Sequence, residues 1–210
     1  MSTTIAGPDG KLRCRWCAGA PEFLPYHDTE WGFPVSDDQR LFEKLSLEGF
    51  QSGLSWRTIL NKRENFRAAF RGFDFNQVAR FTQRDVNRLL KDAGIVRHRG
   101  KIEAVIHNAK QAVDLMKREG SLAAFVWRYQ ADAAQAAKPQ TASTSAASIA
   151  LSKELKKMGW KFVGPTTVYA FMQAMGLVND HAEGCVIRAK VERARKGFEA
   201  APRASSSKKA

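Results

Sequence analysis

Residues 155–176 read LKKMGWKFVGPTTVYAFMQAMG. Leu155 closes a helical pattern, Gly159 and Gly164 bound a short turn, and Pro165 suits the first turn of a second helix. Val168, Phe171 and Met172 then recur at helical spacing. The segment therefore reads as an αα-hairpin. Its VGPTT tip, with Gly164 and Thr166, aims a helix N-terminus and free N–H groups outward, flanked by Lys156, Lys157 and Lys161. A nucleic-acid phosphate suits such a tip without any base being read. An ordinary hairpin with solvated lysines fits the same residues.

Helical punctuation continues on the N-terminal side. SDDQ makes Ser36 an N-cap with Gln39 three residues on, and Leu41 and Leu45 start an inward stripe. A helix over 56–70 turns Ile59, Phe66 and Phe70 inward. Thr82 caps the next, which Gly94 ends as a C′ glycine. The longest follows RHRG and carries Ile102, Val105, Ile106, Ala109, Val113 and Met116. Ser121 starts another through Phe125 and Trp127, and Leu151 with Leu155 belongs to the hairpin's first helix. Residues 131–148 form an Ala/Ser/Thr-rich connection, and residues 1–12 are polar and expected to be loose. No stretch alternates as a strand, so the expected class is all-α.

The 210 residues fit one domain, and 44% hydrophobic residues with 13 Phe and 5 Trp supply a core without disulfides. There is no signal-peptide pattern and no apolar run long enough for a bilayer, so a soluble protein of a reducing compartment without membrane partners is expected. The formal charge is +13, of which residues 186–210, with eight Lys/Arg against two Glu, contribute +6 and the rest +7. A basic balance in both parts points to a polyanion, nucleic acid first. A soluble protein with a basic tail is the plainer reading. The tail has almost no apolar face.

SLEGFQSGLSW, residues 46–56, poses the chemical question. Glu48 lies seven residues after Leu41 and three after Leu45, on their stripe. A carboxylate there needs a partner: a buried Arg, the solvent at a fraying helix end, or a ligand. Trp16, Tyr26, Trp31 and Trp56 all fall in the first 56 residues. A carboxylate among indole and phenol faces suits a flat cationic heterocycle, through stacking, cation–π attraction and hydrogen bonds at its edge. That reading expects Glu48 to have no cation of the protein's own.

HAEGC places His181 and Cys185 at i, i+4, so one helical turn would present both to a metal. Cys14 and His27 lie thirteen residues apart near the other end. Two Cys and two His make a closed, structural zinc set. Cys17 competes through CRWC, and spacing leaves five candidates for four places.

YHDTEWG, LEGFQSGLSW, DAGIVRHRGKI, KFVGPTTVYAFMQAMGLVNDH and HAEGC, in that order, resemble 3-methyladenine DNA glycosylase I, a helix-hairpin-helix family of base-excision repair enzymes. The resemblance runs from about Arg13 to Cys185. It implies one glycosylase domain over 13–186, with the hairpin at about 155–176, a flexible segment 1–12 and a basic tail 187–210. It also implies one structural zinc held by Cys14, His27, His181 and Cys185, which sets Cys17 aside. Glu48 would recognise the flipped base, Tyr26 and Trp56 would line its pocket with Trp16 and Trp31 nearby, and Leu54 would fill the gap left in the duplex.

The implied enzyme is a monomer of the bacterial cytoplasm that acts on alkylated double-stranded DNA and releases 3-methyladenine. The base is cationic while attached, which weakens its bond to the sugar and leaves water to finish the hydrolysis. Neutral adenine would lose attraction to Glu48 and the rings, about 2 kcal/mol when desolvated. No lysine is placed as a nucleophile, so strand cleavage is not expected. Phe162 stands where many hairpins of this kind carry a first glycine, which implies a looser turn. The superfamily's usual catalytic aspartate is held to be missing, and Asp180 near that place sits beside a zinc ligand.

Overall fold

The computed structural model describes residues 2–130 and 138–198. The centre of the fold is α2, Asp38–Gln51, in which every residue from Leu41 to Phe50 is buried. It packs against α3 (Trp56–Asn61), α7 (Arg99–Glu119), α8 (Leu122–Val126) and α10 (Pro165–Ala174). Phe42 and Phe50 on α2 meet Phe66, Phe70 and Phe73 in a chain of aromatic contacts without solvent access. This enclosure revises the stripe inferred from Leu41 and Leu45. An enclosed helix has no outer face, so Glu43, Lys44, Ser46 and Glu48 are all buried with the apolar residues.

Helix starts follow cap chemistry. Asp37, rather than Ser36, caps α2, accepting from the Arg40 N–H at 2.8 Å. Ser55 caps α3, Asp74 caps the short α5 (Phe75–Val78), and Thr82 with Asp85 forms a capping box on α6, Gln83–Lys91. The helix expected over 56–70 is two, α3 and α4 (Arg63–Ala69), because the backbone leaves helical angles at Lys62. Helix α6 ends at Asp92, whose backbone is extended, so Gly94 is not its terminating glycine. Gly120 does play that part for α7, in a left-handed conformation with its N–H on Met116 O.

The hairpin pairs α9, Ala146–Lys157, with α10. Its turn is tied rather than loose. Phe162 itself takes the positive φ of 55° that a glycine would adopt. Asn108 on α7 accepts from Lys161 N at 2.8 Å and donates to Lys161 O at 2.9 Å. Ser152 donates to Val163 O at 2.6 Å, and His107 donates to Gly159 O at 2.9 Å. These bonds fix the backbone on both sides of Phe162.

Two short strands qualify the all-α expectation. Thr4–Ala6 (β1) pairs antiparallel with Leu12–Cys14 (β2), giving the segment expected to be loose a defined place. At the other end α11, Arg188–Lys196, docks through buried Val191, and Arg195 donates to the Gly176 and Leu177 carbonyls. Phe198 packs on Trp127, with ring centroids 4.4 Å apart. The tail therefore has an apolar face over its first part. Residues 131–137 of the Ala-rich connection and 199–210 of the tail lie outside the described residues. No described helix is long and apolar enough to cross a membrane.

Candidate active site and metal cluster

Four donors from the two ends of the chain converge on one point. Cys14 ends β2, His27 sits in α1 (Phe23–Thr29), and His181 and Cys185 flank a turn. That turn, with Cys185 N donating to Ala182 O, replaces the helical turn expected for HAEGC. All four are buried, and their donor atoms lie within 4.8 Å of one another. Cys17, though buried, is not one of the group.

The geometry suits a tetrahedral ion. The Nε2 of His27 and Nδ1 of His181 are 3.2 Å apart. The three resolved S···N separations are 3.6, 3.6 and 3.7 Å. A tetrahedron with bonds of about 2.0–2.1 Å to nitrogen and 2.3 Å to sulfur has N···N edges of about 3.3 Å and S···N edges of about 3.6 Å.

The far side of each ring is also fixed. His27 Nδ1 donates to Asp28 Oδ1 at 2.7 Å, and His181 Nε2 donates to Trp31 O at 3.0 Å. Both lone pairs therefore face the same point, where without a proton or a cation they would repel. The Cys14 thiol, more than any other neighbour, favours the thiolate of Cys185 against burial, and His181 and His27 add to it. The cluster could hold a metal ion.

Trp31 and Trp16 connect this cluster to a cavity. Trp31 stacks on His27 and meets His181 edge-on at 4.6 Å, while Trp16 meets His27 edge-on at 5.3 Å. Both indoles also line a cavity of about 310 Å³, together with Tyr26, Trp56 and Glu48. The structure thus brings together every aromatic residue singled out from the sequence. Lys44, Gln51, Gln140, Gln173 and Asp180 complete much of the wall.

The partner of Glu48 corrects the sequence expectation. Lys44 Nζ lies 2.7 Å from Glu48 Oε1, one turn away on α2, and both side chains are buried. The ammonium also donates to Tyr26 Oη at 2.9 Å and sits 3.3 Å from the centroid of a Trp56 ring. A cation of the protein therefore occupies the junction of carboxylate, phenol and indole that had been expected to await a ligand. Burial works against the ammonium, but attraction to Glu48 and bonds to Glu48 and Tyr26 outweigh it, so the pKa of Lys44 is raised. Tyr26 is also pushed up, chiefly by burial. Among the described residues, no partner appears for the second oxygen of Glu48.

Lys44 had a visible signal, because E-K-L-S-L-E sets it four residues before Glu48. Gln140 and Gln173 had none at sequence level. They meet at Asp180, whose carboxylate accepts from Gln140 N at 2.9 Å and Gln173 Nε2 at 2.6 Å. Burial raises the pKa of Asp180 against those bonds. Two donors of lining residues, Trp56 Nε1 and Gln140 Nε2, are buried without partners among the described residues.

Leu54 stands on the turn between α2 and α3 and is 42% exposed. Gly53 gives that turn its positive φ of 79°. From α7, Lys101 donates to Phe50 O at 2.8 Å and Ser52 O at 2.5 Å, capping the end of α2 with an ammonium. Lys161 and Thr166 are exposed at the hairpin tip, and a Cβ on Gly164 would meet nothing within 4 Å. They do not touch the cavity, whose lining stops at Ala170 and Gln173 on α10.

Comparison with known proteins places this arrangement in context. The model of the methyladenine glycosylase family matches residues 16–189. DNA-3-methyladenine glycosylase 1 of Escherichia coli (strain K12) is 50% identical over 177 residues, which span 82% of this chain and 95% of that protein. A crystal structure of 3-methyladenine DNA glycosylase I superposes with a TM-score of 0.78 at 48% identity, covering 83% of this chain and 98% of the other. A variant of 3-methyladenine DNA glycosylase I, crystallised in complex with 3-methyladenine, gives 0.75 at 34% identity, covering 84% and 97%.

Proposed function

The chain belongs to the methyladenine glycosylase family and is an enzyme that releases 3-methyladenine from DNA; we propose that it does so as a monofunctional glycosylase, by flipping the damaged nucleotide into the aromatic cavity. The observation that carries this reading is the cavity itself. Its indole and phenol walls suit a flat base, and Glu48 and Tyr26 supply polar atoms at its edge. A volume of about 310 Å³ lies at the small end of ligand pockets, in keeping with a single base.

In this reading the base stacks among Trp16, Trp31 and Trp56. The second oxygen of Glu48 accepts from its amino edge, and Tyr26, whose oxygen already accepts from Lys44, keeps its own hydrogen for an acceptor. The glycosidic bond breaks with its electron pair going to the base, which leaves neutral. Water then bonds to C1′ and loses its proton to bulk solvent. Net attraction between Glu48 and a cationic base is no longer the source of selectivity, because Lys44 offsets that charge.

Leu54 fills the place of the extruded base, and its exposure on a tied turn supports the role. The region 155–176 acts as a helix-hairpin-helix element, with the backbone at Gly164 and Thr166 and the Lys161 side chain meeting a phosphate. The ion is zinc, held by Cys14, His27, His181 and Cys185. Its closed donor set makes it structural, and it clamps the indole walls rather than joining the reaction. The enzyme works as a monomer on duplex DNA in the bacterial cytoplasm, with residues 13–186 as its single domain and 187–210 as a basic extension.

The test is incubation with alkylated DNA followed by chromatography of the freed bases. Release of 3-methyladenine without strand breaks is expected, and its absence would refute the reading. A non-catalytic DNA-binding protein would retain the DNA and release nothing.

A further inference from the structure

Lys44 lines the cavity in which the proposed function places the base. It is buried, it faces the cavity, and it touches three of the groups credited with holding a cationic heterocycle: Glu48 at 2.7 Å, Tyr26 at 2.9 Å and a Trp56 ring at 3.3 Å. No carboxylate other than Glu48 is paired with it among the described residues.

Two electrostatic designs lead to different catalysis. A lone carboxylate attracts the base while it is cationic, before the bond breaks. It holds the neutral leaving base less well, so the attraction tightens substrate binding and opposes departure. A carboxylate matched by an ammonium keeps its hydrogen-bond acceptor but loses its net charge. Compared with the lone carboxylate it shifts preference from the cationic base towards the neutral one, because the ammonium's repulsion offsets the carboxylate's attraction.

Resting on the glycosylase reading above, we propose that Lys44 is a specificity-determining residue that makes the pocket complementary to the departing neutral base rather than to the charged base still joined to DNA. As the bond from C1′ to the purine breaks, its electron pair cancels the positive charge of the base, and the sugar carbon becomes the positive centre that water attacks. Lys44 takes no proton and gives none. It lowers the cost of moving positive charge away from the cavity and towards the sugar.

The experiment compares two ligands by quenching of tryptophan fluorescence. One is 3-methyladenine, neutral like the released base. The other is the 3,9-dimethyladeninium ion, permanently charged like the attached one. Lys44→Met removes the charge and the polar contacts, while Lys44→Gln removes the charge and retains a polar group beside Tyr26 and Glu48. If the methionine variant fails to fold, the glutamine variant carries the test.

Both variants should shift the ratio of affinities towards the cation by about tenfold or more. Single-turnover release of 3-methyladenine from alkylated DNA should slow by about as much, while the DNA is bound at least as tightly. A lysine that only supports the fold would lower thermal stability and leave the ratio unchanged within twofold, which would overturn the proposal. Release by the unaltered protein is measured first. If it releases nothing, both readings fall, whereas release with an unchanged ratio removes only the role of Lys44.

Discussion

Two buried polar clusters lie on either side of Trp16 and Trp31, and they balance charge in opposite ways. The Cys14, His27, His181 and Cys185 group directs lone pairs at one point and contains no cation. The Lys44, Glu48 and Tyr26 group contains its own. Burial penalises an uncompensated charge wherever it lies, so one cluster could take a positive ion from outside, as proposed above, whereas the other carries its own. A buried carboxylate is therefore weak evidence for a waiting cationic ligand until its neighbours on every side are known.

The sharpest way to break the contrast is to disable the cluster that lacks a cation. His181→Ala should abolish stoichiometric zinc. It should lower the midpoint of thermal unfolding by about 10 °C, corresponding to about 3 kcal/mol for a chain of this size. Metal analysis and calorimetry on one preparation check both, and release of 3-methyladenine by whatever protein remains folded should persist. Unchanged zinc content would remove the ligand from the set.

The opposite cluster should fail for the opposite reason. Glu48→Gln leaves a buried ammonium unpaired, which should cost about 3 kcal/mol in denaturant unfolding at neutral pH and slow base release. A wild-type release rate would remove the proposed part of Glu48 in recognition. The pair also has a signed pH dependence. The folded pKa of Lys44 lies above its ordinary 10.5, so its contribution is complete below that value and is lost as pH rises through the folded one. Unfolding free energies of wild type and Glu48→Gln should therefore converge only in strong alkali.

Smaller effects test the surfaces around the cavity. Lys101→Met uncaps the carbonyls of Phe50 and Ser52, at a cost of about 1.5 kcal/mol. Because it loosens the turn bearing Leu54, it should weaken binding to duplex DNA more than to free 3-methyladenine. Removing Lys161, if it meets one phosphate, should lower the slope of log binding constant against log salt by about 0.9 without altering base preference.

The Cys14, His27, His181 and Cys185 cluster was legible because Cys and His are few in this chain and sit in short motifs. Geometry adds that HAEGC folds as a turn, whose Ala182 N–H donates to Cys14 Sγ at 3.3 Å. The helices were legible where caps and periodicity agreed, as at Thr82 and Ser121. The partner of Glu48 was visible as an i, i+4 pair, but the sequence reading weighed only a buried Arg, solvent or a ligand. Lys44 follows Leu41 by three residues and precedes Glu48 by four, so it lies at the margin of the same stripe; that α2 is enclosed all round, which buries the pair, belongs to the tertiary fold rather than to the helix's own sequence. The β1–β2 pairing was missed because three-residue strands are too short to show alternation.

The decisive measurement is nitrogen NMR of the lysine ammonium groups in the uncomplexed protein at neutral pH. The account predicts a protected ammonium signal besides any from buried Lys101, assigned to Lys44 by its loss in Lys44→Met and displaced in Glu48→Gln. If no protected signal is lost in Lys44→Met, or Lys44 is a neutral amine, then Glu48 has no resident cation and the contrast between the clusters fails.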